Sequence, residues 1–496
     1  MIARRLELMI GGLIVAMTVA GCGKVQAVGD AGPPSDAATE GVCNDTQSDP
    51  DNCGSCGHAC GAGFTCASGR CGNDVAEVVG GTNHSCAVLH GGAVYCWGEN
   101  ELGQLGDGGI TGPEYCRSSA DPCRPAPAVV SGLIDVVHVS AAFDHSCAIE
   151  RDGSVLCWGV NSSLELGHET SADLSCMSII TKTAVPCNPV PTRVPLPDGA
   201  KALAVAVGRG YSCVLSRTND VYCWGDNTYG QLGVAPATTL GTSTPQKVGS
   251  TSTPFAAPVT QISTDHNSSP HVCAVSGRQV WCWGANYLGG NGHDPTTDPV
   301  CSGLPLGSLA CNFAPQVIKT EQGGPFDNIV SIGVGREFGC ARKTDATIWC
   351  WGADDPWGSR GQGTIDVDTN PFPVQVTMFP PNNVTALYVG GGNAVFVVDA
   401  SGATWAWGRN NYGLLGNGTV TGAEPTPKLT GFGASQMSVG EGSTLALKPD
   451  GTVWVWGDNS EAQLGHTPAT AGDQAPAAGT GAIECNSQPA QLQGLP

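Results

Sequence analysis

HSCAVLHGGAVYCWGENELGQLGDG, residues 84–108, decides how this chain folds, because it returns six more times. The other copies are HSCAIERDGSVLCWGVNSSLELGHE (145–169), YSCVLSRTNDVYCWGDNTYGQLGV (211–234), HVCAVSGRQVWCWGAN (271–286), FGCARKTDATIWCWGAD (338–354), VFVVDASGATWAWGRNNYGLLGNG (395–418) and TLALKPDGTVWVWGDNSEAQLGH (444–466). Their shared marker is Trp-Gly, at Trp97, Trp158, Trp224, Trp283, Trp351, Trp407 and Trp456. Each copy holds a turn of Gly, Asp or Asn, such as Arg151-Asp152-Gly153 or Pro449-Asp450-Gly451, which suits a tight hairpin. The strands beside the turn are apolar at nearly every position, as in Val94-Tyr95-Cys96-Trp97, so neither face of the hairpin can be solvated. Short sheets covered on both sides, at a fixed period and without helices, describe the blades of a propeller packed face to face. An open solenoid would need polar caps at its ends.

Working outward, most copies follow a Pro-x-x-Val type strand, for example Pro127-Ala128-Val129-Val130, Pro315-Gln316-Val317 and Pro427-Lys428-Leu429. The first copy opens without it, at Asp74-Val75-Ala76-Glu77-Val78-Val79, while Gln488-Pro489-Ala490-Gln491-Leu492 supplies such a strand at the far end. The expectation is an all-β, seven-bladed propeller over residues 73–496, closed by pairing of this C-terminal strand with blade 1. Composition agrees: glycine contributes 71 of 496 residues and charged residues 13%, against a usual ~25%, which leaves little material for long helices. With 43 acidic against 22 basic residues and a formal charge of −21, the chain lacks the basic footprint that nucleic acid or an anionic lipid surface requires.

The WGxNxxGQLG pattern, with its repeat length and copy number, resembles the regulator of chromosome condensation repeat family, whose members fold as seven-bladed β-propellers. The resemblance runs from residue 74 onward; copies 4 and 5 depart from it after Trp-Gly (ANYLGGNG and ADDPWGSRG). Eukaryotic members of that family act as nucleotide exchange factors on a small GTPase and bind chromatin, and secreted bacterial members include an inhibitor of β-lactamase. Neither activity maps onto this chain residue by residue, and its charge and compartment argue against GTPase exchange.

The compartment is read at the N-terminus. Arg4 and Arg5 precede an apolar stretch, Leu8 to Ala20, too short to span a bilayer but of signal-peptide length. Val19-Ala20-Gly21-Cys22 resembles the lipobox of bacterial lipoproteins, which implies removal of 1–21 and lipid attachment at Cys22. An ordinary secretory signal cleaved near Ala20 is the alternative. Gly23 is not the Asp that usually retains lipoproteins on the inner membrane, so the resemblance implies an outer-membrane or cell-surface address. Residues 22–42, rich in Gly, Ala, Pro, Ser and Asp, read as a flexible linker. In 43–72, Cys43, Cys53, Cys56, Cys60, Cys66 and Cys71 stand in a segment with almost no apolar core, so disulfides must stabilise it. That run resembles the stigma-specific-protein type of cysteine-rich module; a zinc site of Cys53, Cys56 and His58 is the competing reading.

Ten further cysteines flank hairpin turns: Cys86 and Cys96, Cys147 and Cys157, Cys213 and Cys223, Cys273 and Cys282, Cys340 and Cys350. Their spacing puts each couple opposite one another, within reach of a disulfide. The shorter fourth spacing is expected to use Gly277-Arg278 as a type II′ turn. Copies 6 and 7 lose both partners together, to Phe396 and Ala406 and to Leu445 and Val455. Three more couples, Cys116 and Cys123, Cys176 and Cys187, Cys301 and Cys311, lie in insertions 107–126, 168–191 and 294–314 at one place in the repeat. Of 24 cysteines this leaves Cys485 over, aligned with the second member of the inserted couples but with no first member upstream.

No nucleotide-binding, metalloprotease, serine-hydrolase or well-formed EF-hand motif occurs, so no cofactor is expected and the chain reads as not an enzyme. Asp366-x-Asp368-x-Asn370 lacks the turn glycine of a calcium loop, because Pro371 stands there. His84, His145 and His271 share a position with Tyr211 and Phe338, which assigns them to packing or a single hydrogen bond. Trp357 alone among the 12 tryptophans falls outside the repeated strands and is a candidate ligand contact, set against packing under a loop. The expected function is noncovalent recognition of a protein or envelope component by the loop face; a surface lectin, or a polysaccharide-acting enzyme in the channel, are the alternatives.

Overall fold

A computed structural model describes residues 70–496 apart from 117–121, 179–180, 235–239, 250–254, 267–268, 302–308, 355, 366–368, 380–382, 471–472 and 474–484, together with 47–48, 53 and 66–67. The expected signal peptide, Cys22, the linker, most of the cysteine-rich module and the Asp366/Asp368 run lie outside the described residues. Seven antiparallel sheets follow one another, within 75–129, 136–194, 202–247, 259–317, 329–375, 384–429 and 436–491. In the first, strands a to d are Val75–Gly80, His84–Leu89, Val94–Glu99 and Pro122–Val129, hydrogen-bonded in that order, and the other six repeat it. The a strands of successive blades touch around the circle, the seventh against the first, so strand a is innermost.

An innermost strand has an open edge whose polar groups need partners. Side chains of the neighbouring a strand supply them. Ser140 Oγ accepts from Val207 N (3.2 Å), Ser263 Oγ from Val334 N (3.1 Å) and Ser438 Oγ from Gly80 N (2.9 Å). The Gln261 amide donates to Ile332 O (2.9 Å) and accepts from Ile332 N (3.0 Å).

Trp-Gly is the joint between blades. All seven indoles are at most 1% exposed. Each Nε1 donates to a loop carbonyl of the preceding blade: Trp158 to Gln104 O (2.9 Å), Trp224 to Glu165 O (2.8 Å), Trp283 to Gln231 O (2.9 Å), Trp351 to Gly290 O (2.9 Å), Trp407 to Ser359 O (2.9 Å) and Trp456 to Leu414 O (2.8 Å). Large apolar rings buried with their one polar atom satisfied are what hold neighbouring sheets together. The following glycine sits at a register shift in strand c; Gly225, for example, has φ 101°, and a Cβ there would lie 2.5 Å from Gly210 O. No other residue meets both demands.

Ring closure differs from the expectation. Cys485–Gln491 pairs with Val453–Asp458, so the C-terminal strand completes blade 7, and blade 1 owns its d strand at Pro122–Val129. The Pro-x-x-Val strand ends the preceding copy instead of opening the next, so every blade is one continuous stretch of chain. Side chains seal the seam: Trp97 Nε1 and Ser85 Oγ donate to Gln463 O (3.0 and 3.1 Å), and Leu492 packs in one cluster with Trp97, Val75 and Leu445.

The hairpin couples form disulfides, Cys86–Cys96, Cys147–Cys157, Cys213–Cys223, Cys273–Cys282 and Cys340–Cys350, each with Cα atoms 4.1 Å apart. In blade 1 the turn is bonded from Leu89 N to Ala93 O, and alternation from there puts Cys86 and Cys96 at a non-hydrogen-bonded pair, where opposed strands come closest. The Gly277-Arg278 turn is type I′ instead of II′, since both residues have positive φ (61° and 62°). Cys116–Cys123, Cys176–Cys187 and Cys301–Cys311 each tie a short fifth strand to strand d, with Cα atoms 5.8 to 5.9 Å apart. Cys485 is buried opposite Asp458, the register place that Cys123, Cys187 and Cys311 hold opposite Glu99, Val160 and Ala285. In the N-terminal module Cys53 and Cys66 are bonded.

Candidate functional site: an acidic cavity on the loop face

The connections between strands a and b and between c and d lie on one face, and the three insertions belong to the c–d connections. On this face a cavity of about 400 Å³ opens between blades 2 and 3. Blade 2 contributes Phe143, Asp144, His145, Ser163 and Glu165, blade 3 contributes Arg209, Asp226 and Tyr229, and Ser178, Thr181 and Val185 come from the insertion 168–191. That insertion is anchored by its cystine, which packs with Leu102, Ile110 and Val160.

The local chemistry follows from one departure in blade 2. In blades 1 and 3 the c–d loop pairs an acid after Trp-Gly with a glutamine: Gln104 Nε2 donates to Glu99 (3.2 Å) and Gln231 Nε2 to Asp226 (3.0 Å). The glutamine oxygen meanwhile accepts a backbone N–H, Leu102 N on Gln104 (2.9 Å) and Tyr229 N on Gln231 (2.9 Å). Blade 2 has Val160 in the acid's place and Glu165 in the glutamine's. Glu165 still accepts from Ser163 N (2.6 Å), but it has become the acid itself, 1% exposed. Burial pushes its carboxyl up to about 8, and Asp226 and Asp173 add repulsion.

Asp144 is half-buried; its carbonyl accepts from Val160 N (2.9 Å), and its carboxyl makes no hydrogen bond within the described residues. Its carboxyl is held well above the usual range by burial and by Glu99, Glu101 and Glu165, with Arg209 opposing. The Arg209 guanidinium lies over the Phe143 ring, 4.4 Å from its centre. His145 is wholly buried, which pushes its imidazole down to about 3. Its Nε2 meets Ser212 Oγ at 2.9 Å, while Ser212 donates its single hydrogen to Glu165 O (3.0 Å). His145 Nε2 is therefore the donor, and Nδ1 carries a lone pair with no partner.

The repeat histidines join blades. His84 Nε2 meets Ser146 Oγ at 2.8 Å, the counterpart of His145 to Ser212, and Tyr211 OH donates to His271 O (3.0 Å). Trp357 lies outside the cavity wall; it is half-buried, with the Arg409 guanidinium 5.5 Å above its ring and 5.1 Å from that of Tyr412. It precedes Gly358 (φ 69°) as Tyr229 precedes Gly230 (φ 81°) and Tyr412 precedes Gly413 (φ 72°), so it holds a repeat position after all. The cavity acids escaped the sequence reading. The available signal was the exchange of SSLELG for the ELGQLG and TYGQLG of copies 1 and 3.

Comparison with known proteins fits this geometry. Two profiles of the Regulator of chromosome condensation (RCC1) repeat match, one at 75–104, 136–163, 203–231 and 434–463, the other at 91–149, 152–215, 219–269 and 401–447. Together they cover more than half of the chain. The Ultraviolet-B receptor UVR8 of Arabidopsis thaliana is 27% identical over 321 residues, 64% of this chain and 63% of that protein. The E3 ubiquitin-protein ligase HERC2 of Homo sapiens is 26% identical over 299 residues, 60% of this chain and 5% of that protein. The chain thus spans less than two-thirds of either. The HERC2 match corrects the expectation that the chain is not an enzyme: such repeats do occur within an enzyme, so missing motifs do not exclude that class. Among solved structures, Prp20p of Saccharomyces cerevisiae, described with its binding properties to Gsp1p and histones, superposes with a TM-score of 0.61 at 17% identity, covering 85% of this chain and 88% of that one. That likeness is one of fold. By sequence pattern, profile and architecture, the chain belongs to the regulator of chromosome condensation repeat family.

Proposed function

We propose that the chain is an exported envelope protein, anchored by lipid at Cys22 to the outer membrane or cell surface, whose loop face recognises a protein or envelope component without covalent chemistry. The observation that carries this reading is the cavity between blades 2 and 3, bordered by a cystine-braced insertion on a rigid ring. Variable loops on a scaffold of joined blades favour recognition. The binding of proteins by Prp20p, named in its description, supports recognition in kind. The disulfides of the described blades need an oxidising compartment, which supports export.

Crosslinking pull-down from envelope extract tests recognition, comparing the intact chain with one trimmed within 168–183, the part of the insertion that precedes strand d at Ala184–Val194; equal recovery of partners would sink it. For the anchor, Cys22→Ser is expected to move the protein from the membrane to the soluble fraction. Retention of the variant in the membrane would refute lipidation at Cys22.

A further inference from the structure

We propose that the loop face carries a contact site at the joint between blades 5 and 6, where Trp357, Arg409 and Tyr412 receive a carboxylate side chain of a protein partner. The inference deepens the recognition reading above and rests on it.

Its first support is a reversal of charge within the repeat. The residue after Trp-Gly is an acid in blades 1, 3 and 7, where it fastens the c–d loop: Glu99 accepts from Gln104 Nε2, Asp226 from Gln231 Nε2 and Asp458 from Ser460 N (2.8 Å). Blade 6 exchanges both members of the acid–glutamine couple, placing Arg409 and Leu414 there. The Arg409 side chain is thereby released from the joint and is positioned by its own loop, with Nε donating to Asn411 Oδ1 (2.7 Å).

The second support is that this cation stays unneutralised where acids are plentiful. The chain has 43 acidic residues to 22 basic ones, and Arg124, Arg151, Arg193 and Arg360 each meet a carboxylate. Arg409 meets none within the described residues, nor does exposed Arg336 in the a–b turn of blade 5. One residue ties the two arginines together: Asn393 Oδ1 accepts from Arg336 N (3.3 Å) and Asn393 O from Arg409 N (3.0 Å).

The third is the surroundings of the guanidinium. The c–d loop of blade 5 lies against strand d of blade 6, where Gly363 N donates to Pro425 O (3.0 Å), and this brings Trp357 beside Arg409. The two rings, 5.5 and 5.1 Å from the guanidinium carbon, occupy its flanks and leave its terminal nitrogens open to solvent without a partner. Trp357 Nε1 and the Tyr412 hydroxyl are open likewise. Such a set of donors asks for an acceptor, and a carboxylate accepts two parallel bonds from a guanidinium fork. An exposed ion pair alone is worth little. Here the flanking rings add apolar area that a covering partner would dry, and Trp, Tyr and Arg are the side chains that dominate interface energies. A polyanion is disfavoured, because a formal charge of −21 repels it on approach, whereas a single acid on a neutral or basic protein surface is not so repelled.

The test uses the purified full chain, fluorescently labelled, on an array of acetylated, amidated 12-residue peptides. Every peptide bearing Asp or Glu has a twin bearing Asn or Gln, and trigalacturonate is spotted as an acidic glycan. The expected result is retention on acid-bearing peptides, with a loss of about tenfold or more on their twins. Arg409→Ala should lose the same peptides by about tenfold or more, as truncation of a central arginine does. Blades 4 and 5 carry Ala285 and Ala353 at this place, so the substitution leaves the fold intact. Equal signal on the twins, native binding by Arg409→Ala, silence of all acid-bearing peptides, or retention on trigalacturonate alone would each overturn the proposal. Unchanged partner recovery by Arg409→Ala in the pull-down would also remove this contact, while leaving recognition by the loop face standing.

Discussion

Replacing Glu165 by Gln isolates the cost of burying an acid at a joint that other blades build with an amide. In the folded chain Glu165 is 1% exposed, with its carboxyl pushed up to about 8 from an ordinary 4.5. The folded state therefore holds its proton more tightly than the unfolded one. Stability from this group is whole below pH 4.5 and is lost as pH rises toward 8. At ~1.36 kcal/mol per unit, the loss by pH 7 is about 3 kcal/mol. Glutamine does not titrate, so the variant escapes that loss. It pays a separate, constant cost: Val160 offers no acceptor for the new amide, where Glu99 and Asp226 serve Gln104 and Gln231. An unsatisfied buried donor costs roughly 1–3 kcal/mol at any pH. The decisive quantity is thus the change of the difference with pH. With an unfolding entropy of ~2.1 cal/mol/K per residue over ~400 residues, the Tm of the variant relative to native should rise by about 4 °C between pH 4.5 and pH 7. Calorimetric melting across that range measures it; parallel Tm curves would show that Glu165 ionises as freely in the fold as outside it.

Other outcomes follow from the same architecture. His138 Nδ1 faces Glu77 Oε1 at 2.7 Å and its Nε2 faces Val205 O at 3.1 Å, two acceptors that require both nitrogens to be protonated. Although burial alone lowers it, the Glu77 carboxylate raises the imidazole above its ordinary value, so this bridge stabilises the inner ring at low pH and fades as pH rises through the raised value. Side-chain NMR should give a midpoint above 6.5 that falls in Glu77→Gln; an unmoved midpoint would contradict the pairing. Gly225→Ala should abolish folded protein, whereas Gly451→Ala, with φ 84° but open space around it, should cost only ~1–2 kcal/mol; circular dichroism and melting separate the two. Replacing Cys213 and Cys223 by the Leu and Val that blade 7 uses should cost at most ~3 kcal/mol, and a larger loss of stability in an oxidising melt would mean the cystine does more than close a short hairpin.

Local chemistry written once per copy was legible in the sequence, and chemistry written by assembly was not. Trp-Gly announces itself because the indole needs a buried carbonyl partner and the glycine a positive φ, demands met inside every repeat. Cysteine couples are equally local, since a turn of fixed length fixes what stands opposite. The closure was misread because a Pro-x-x-Val strand looks the same whether it ends one copy or opens the next; only pairing distinguishes Trp454↔Gln491 from a partner in blade 1. The cavity was harder still. Asp144, Glu165 and Asp226 are separated by long stretches of chain, and what brings them together is the joint itself: Trp224 reaches back to Glu165 O and thereby draws the c–d loop of blade 2 over the a–b turn of blade 3, where Arg209 waits. The residue that makes the blades cohere is thus the one that builds the site. A substitution such as Trp224→Phe, which deletes that donor, should therefore loosen the cavity and the blade 2–3 joint together, while the joint between blades 5 and 6, held by Trp407 on Ser359 O, stays intact.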